Sequence, residues 1–150
     1  MNIGKFALMA TATAATTIAL AATAHADAPK NLTVTDSVRA QLLQAGAAMK
    51  GFPVSDFTGL EAGQTYYAYD PDTATYWAGA RLAPSPNSWD ANIANQDAGT
   101  YTLFEQHQGG PWMAFNDGGS HDPDGCPAPL PASIMTLWDW DAEWCHPKYR

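Results

Sequence analysis

Val38, Leu42, Ala45 and Met49 fall four, three and four positions apart, a spacing that lays one apolar stripe along a helix. Thr35 or Asp36 offers an oxygen to the free amides at its start, and Gly51 followed by Pro53 stops it. A helix is therefore predicted over residues 36–50. Residues 52–63 read as a connection from helix to sheet. From Thr65 the period shortens to two, through Thr65-Tyr66-Tyr67-Ala68-Tyr69, and resumes from Ala74 to Leu82 after Asp70-Pro71-Asp72-Thr73. An Asp that accepts backbone amides and a Pro that presets φ make that tetrapeptide a turn. The aromatic flanks suit a pleated, half-buried surface, so the segment predicts a hairpin.

The Pro- and Ser-rich stretch 84–88 then leads to a second expected hairpin, Ala91 to Gln96 and Thr100 to Gln106, turning at Asp97-Ala98-Gly99. Gln108-Gly109-Gly110-Pro111 reverses the chain into a short strand, Trp112 to Asn116. Residues 117–129 are rich in Gly, Asp and Pro and read as a loop. Pro131 suits the first turn of a short helix from Ala132 to about Trp138. The expected fold is α+β: an N-terminal helix packed on a four- to five-stranded antiparallel meander, with a short C-terminal helix and one disulfide. Residues 35–150 are expected to form a single domain, with 27–34 as a lead-in.

The first 26 residues carry a different pattern. Lys5 precedes a weakly apolar Ala/Thr run from Phe6 to Ala22, and Ala24-His25-Ala26 supplies the small residues that signal peptidase requires. This is the expectation of a cleaved secretory signal, with Asp27 as the new N-terminus. A retained anchor fits less well, because threonines interrupt the run and no basic cluster follows it. No Cys near the cleavage site offers a lipid anchor, so no stable membrane insertion is expected after cleavage. In an exported chain, two cysteines, Cys126 and Cys145, favour one disulfide over a metal site or a reactive thiol.

Charge and aromatic content narrow the partners. Seven Lys and Arg stand against fifteen Asp and Glu, a formal charge of −8 that loss of Lys5 makes more negative. That balance argues against nucleic acid, anionic membrane surfaces and acidic polysaccharides, each of which would be repelled at long range. All six Trp lie beyond the leader. Most are expected in the core, where each buries a large area; the alternative is an aromatic surface for a sugar or a partner.

Candidate chemistry is thin. Asp117, Asp122 and Asp124 lie in one acidic loop. Aligned to an EF-hand calcium loop, however, Ser120 falls where the first Asp should be and Pro131 where the bidentate Glu should be. They are weak calcium candidates, and zinc would need His107 or His146 in addition to His121. Ser120 beside His121 lacks a nucleophile elbow, and Glu61 or Glu105 could serve as paired carboxylates only at a separation the sequence does not give. Trp138-Asp139-Trp140-Asp141-Ala142-Glu143-Trp144 alternates aromatic and acidic residues. It reads as a packing strip or as a candidate binding surface of Trp138, Trp140 and Trp144. No cofactor motif is present.

Tyr66-Tyr67-Ala68-Tyr69-Asp70-Pro71, then Thr75-Tyr76-Trp77-Ala78-Gly79-Ala80, Gln96-Asp97 and Tyr101-Thr102-Leu103-Phe104 together resemble a group of small secreted actinobacterial proteins. Cys126-Pro127, Pro131-Ala132 and the Trp-rich stretch ending at Cys145 extend the resemblance over most of residues 33–147. It implies export and a single disulfide, and it assigns no activity or site. The leading expectation is a non-enzymatic extracellular binding or inhibitory module for a protein or polysaccharide. A small-ligand carrier or hydrolase is the second, with a pocket between helix and sheet lined by Glu105, Asp97 or His107. A calcium-stabilised cell-wall protein is the third.

Overall fold

The computed structural model describes residues 27–98, 101–115, 130–141 and 146–148. Helix α1 spans Asp36–Lys50, where the spacing predicts it. Thr35 Oγ1 accepts the Val38 amide at 3.3 Å, and Gly51 adopts the left-handed conformation, φ 77°, donating its amide to the last carbonyls.

The sheet runs as an antiparallel meander of five strands in sequence order: β1 (Lys30–Asn31), β2 (Phe57–Asp70), β3 (Thr75–Pro84), β4 (Thr102–His107) and β5 (Met113–Phe115). Between β2 and β3 the Asp70 carboxylate accepts the Asp72 amide at 3.1 Å and the Thr73 hydroxyl at 3.2 Å. That is the turn chemistry expected of Asp-Pro-Asp-Thr. Strand β2 begins at Phe57, within the stretch expected to be a connection. Two irregularities in its pairing with β3 interrupt the alternation there, with Gly59 and Gly63 at positive φ.

The stretch from Ala91 to Gln96, expected to be a strand with a turn at Asp97-Ala98-Gly99, is instead helical: α2 spans Trp89–Ala98. Ser88 Oγ accepts the Ala91 amide at 3.4 Å, and the Asn92 amide nitrogen donates to the carbonyls of Ser85 and Ser88. This Ser cap and the alanines at 91, 94 and 98 outweigh the apparent alternation of Ala91 and Ile93.

The sheet is covered on both faces. On one, Leu42 and Ala47 of α1 meet Ala78, Ala80 and Leu82 of β3 and Phe104 of β4, with Ala91 of α2 at the margin. On the other, Trp77 and Leu103 pack with α3 (Ala132–Trp138), with Leu130 and with Trp140. Trp140 opens β6 (Trp140–Asp141), which pairs with β7 (His146–Pro147) in a small second sheet. The architecture is thus mixed α and β, with three helices and a five-stranded antiparallel sheet among the described residues. None of the described helices is long and apolar enough to cross a membrane.

Candidate functional site

Between α1 and the β4–β5 hairpin lies a groove of about 540 Å³. From α1 it receives Gln41, Gln44, Ala45 and Ala48, which follow the i, i+3, i+4, i+7 rule for one helix face beside the buried stripe. The two small alanines keep the helix from filling the space. From the hairpin it receives Gln106, Gly110, Pro111 and Trp112. Gly109, at φ 76°, permits the tight reversal, and the Gly110 amide closes it on the His107 carbonyl at 2.8 Å. Gln106 Nε2 donates to the Gly110 carbonyl at 2.9 Å, which fastens the loop and leaves the amide oxygen as an acceptor.

Trp112 is half-buried and stands at right angles to Phe104, 6.5 Å between ring centroids. Its indole Nε1–H is buried and has no hydrogen-bond partner among the described residues. From Trp112 a ribbon of rings continues across the sheet: Tyr67 at 6.0 Å, Tyr76 stacked on Tyr67 at 6.0 Å, and Tyr69 at 4.8 Å from Tyr76. Register explains the ribbon, since Tyr69, Tyr76 and Gln106 are direct cross-strand neighbours and Tyr67 shares the next row with Phe104 through Ala78. Burial, and then the neighbouring Tyr76, push the Tyr67 phenol above its ordinary pKa. Among the described residues the groove lining carries no ionisable side chain. It offers amide donors and acceptors, one indole and small apolar groups.

Glu105 and His107 come together, with His107 Nε2 2.9 Å from Glu105 Oε1 and His107 Nδ1 3.2 Å from the Thr75 hydroxyl. They do so on the face opposite α1, because Glu105 is in register with Trp77. The helix-side groove is therefore not lined by them. Thr75 is fully buried, so its hydroxyl has no access to a substrate despite its imidazole neighbour. Asp97 sits in α2, its side chain outside the described residues.

Trp138 and Trp140, two members of the candidate aromatic surface, are core residues, 6% and 3% exposed. They pack on one another and on Tyr66 at centroid distances of 5.0 to 5.6 Å. The packing-strip reading fits this pair. Trp138 reaches the core as the last residue of α3, and Asp139, at φ 55°, turns the chain so that Trp140 follows it inward. Trp144, Cys126, Cys145, Asp117, Asp122 and Asp124 lie outside the described residues. Among the described residues no three His, Cys, Asp or Glu side chains gather in a way that could hold a metal ion.

Sequence reasoning missed Gln41, Gln44, Gln106 and Trp112. A faint signal existed, in two glutamines three apart beside the apolar stripe of α1 and a Trp directly after Gly-Gly-Pro. What joins them is the docking angle of the helix on the hairpin. The fold and groove define a small α+β module with a two-sided sheet. Set against protein-family models, curated proteins and solved structures, the chain matches none of them.

Proposed function

We propose that the protein is an exported, non-enzymatic binding module whose ligand lies in the groove between α1 and the β4–β5 hairpin. The observation that carries this reading is the chemistry of the lining. Three glutamine amides, an indole and small residues can orient and desolvate a ligand, while among the described residues no acid, base or nucleophile faces it. Export rests on the leader at residues 1–26. A Cys126–Cys145 bridge would tie the C-terminal segment, which carries Trp138 and Trp140 into the core, to the rest of the domain.

Ala48→Arg tests the reading, because Ala48 is an exposed helix position and a long cation there fills the groove without touching the core. The protein and the variant are assayed on immobilised bacterial wall polysaccharide and on a panel of secreted hydrolases. Expected is retention of the protein on at least one of these and a loss of more than tenfold in the variant, with an unchanged circular dichroism spectrum. Retention that is indifferent to Ala48→Arg, or turnover of the retained polymer, contradicts the reading.

A further inference from the structure

We infer that the groove and its ring ribbon take a neutral polysaccharide chain, an inference that rests on the binding-module reading above. A pyranose ring has two chemically distinct parts. Its axial C–H groups form an apolar face that packs on an aromatic ring, and its rim carries hydroxyls that each donate and accept a hydrogen bond. Side-chain amides match such a rim, because each holds donor and acceptor at fixed spacing. Aromatic rings match the face, since they supply contact area with little rotamer entropy to lose. The site sets these two kinds of group side by side: Gln41, Gln44 and Gln106 around the groove, and Trp112, Tyr67 and Tyr76 along the ribbon.

Charge selects among glycans. An anionic chain would give up its hydration in a lining whose described residues hold no cation to replace it, so its carboxylates or phosphates would stay uncompensated. The chain's formal charge of −8 repels it before contact. Past Tyr69, Asp27 and Lys30 share a smaller hollow with that ring and bring charge of both signs.

Length selects a chain over a monosaccharide. Tyr67 lies 6.0 Å from Trp112, and Tyr76 and Tyr69 adjoin it across β3 and β2 at 6.0 and 4.8 Å, an aromatic area wider than one sugar ring needs. A protein segment fits less well. Peptides dock through apolar pockets or by adding a strand to an open edge, whereas this groove is rimmed by amides.

Affinity electrophoresis in gels cast with dextran, mannan, xyloglucan or arabinogalactan, with polygalacturonate as the anionic control, tests the inference. The protein is expected to be retarded in at least one neutral gel and not by polygalacturonate. Gln41→Ala with Gln44→Ala is expected to weaken retardation about tenfold, the loss of two hydrogen bonds. Both residues are exposed on α1, so the fold survives their truncation. Tyr76→Ala, at the middle of the ribbon, is expected to weaken it to a similar degree.

Absence of retardation in all four neutral gels, or retardation by polygalacturonate alone, overturns the sugar class. In that case the binding-module reading still stands if Ala48→Arg abolishes retention on a secreted hydrolase. Retardation in a neutral gel that neither the glutamine pair nor Tyr76→Ala changes overturns both.

Discussion

The outer edge of the Trp140 indole abuts Gly79, so close that a methyl group at position 79 would sit 2.4 Å from Trp140 Cη2 and 2.9 Å from Cζ2. The absence of a side chain in the middle of β3 thus makes the seat for the chain's C-terminal aromatic pair. Trp140 cannot move aside cheaply, because Tyr66, Tyr101 and Trp138 hold it at centroid distances of 5.0 to 5.1 Å. Gly79→Ala is expected to destabilise the protein by about 3 kcal/mol, through overpacking against a rigid ring. Urea denaturation followed by circular dichroism measures it. Gly79→Ala combined with Trp140→Leu should cost less than the sum of the two single changes.

Alkali offers a separate probe of the same cluster. Burial, and then Tyr66, raise the Tyr101 phenol to about 12, above its ordinary value of 10.0. Tyr101 also donates its hydroxyl proton to Gln64 Oε1. The unfolded chain therefore releases this proton at lower pH than the folded one. Its contribution to stability is fully present below pH 10 and is lost as the pH rises towards about 12. Urea midpoints taken across that window should fall more steeply for the protein than for Tyr101→Phe. Equal slopes would show that Tyr101 does not carry the effect.

The two ends of the described chain are linked by Trp138 Nε1, which donates to Asn31 Oδ1 at 3.0 Å and so ties α3 to β1. Asn31→Ala leaves that indole N–H in the interior without its acceptor, at a cost of about 1–2 kcal/mol. In a Trp138→Phe background the same change is expected to cost almost nothing. A double-mutant cycle in urea separates the two cases.

Parts of this architecture are legible in the sequence because one local signal decides them. The stripe from Val38 to Met49 with Thr35 and Gly51 at its ends specifies α1, and Asp70-Pro71 specifies the first hairpin. Residues 89–98 mislead because Ala91 and Ile93 mimic alternation while the deciding signal, the Ser88 cap, lies outside the run. The second covered face is hidden for a different reason. It depends on Trp140 finding the gap over Gly79, sixty-one residues away in sequence, and local pattern carries no distance information. The groove is hidden in the same way, since Gln41 and Gln44 read as solvated helix positions until Trp112 is set opposite them.

The leader and the cysteines make joint predictions. Expressed in a host that exports it, the protein should begin at Asp27 by N-terminal sequencing, and thiol titration without reductant should find no free sulfhydryl. Reduction of the proposed Cys126–Cys145 bridge should lower stability by about 3 kcal/mol, the loop-closure entropy that such a bridge removes from the unfolded chain. Two titratable thiols in the unreduced protein would contradict the bridge.

The central claim is that the groove beside α1 is the binding site. An NMR titration with oligosaccharide fragments of whichever neutral polysaccharide retards the protein tests it most directly, because glutamine side-chain NH₂ groups and the Trp112 indole N–H report individually. Shifts are expected to concentrate on the side chains of Gln41, Gln44, Gln106 and Trp112 and on the backbone of Gly110. Shifts that instead gather on the exposed Trp89 and Ile93 of α2, or on Glu105 and His107 across the sheet, would contradict it.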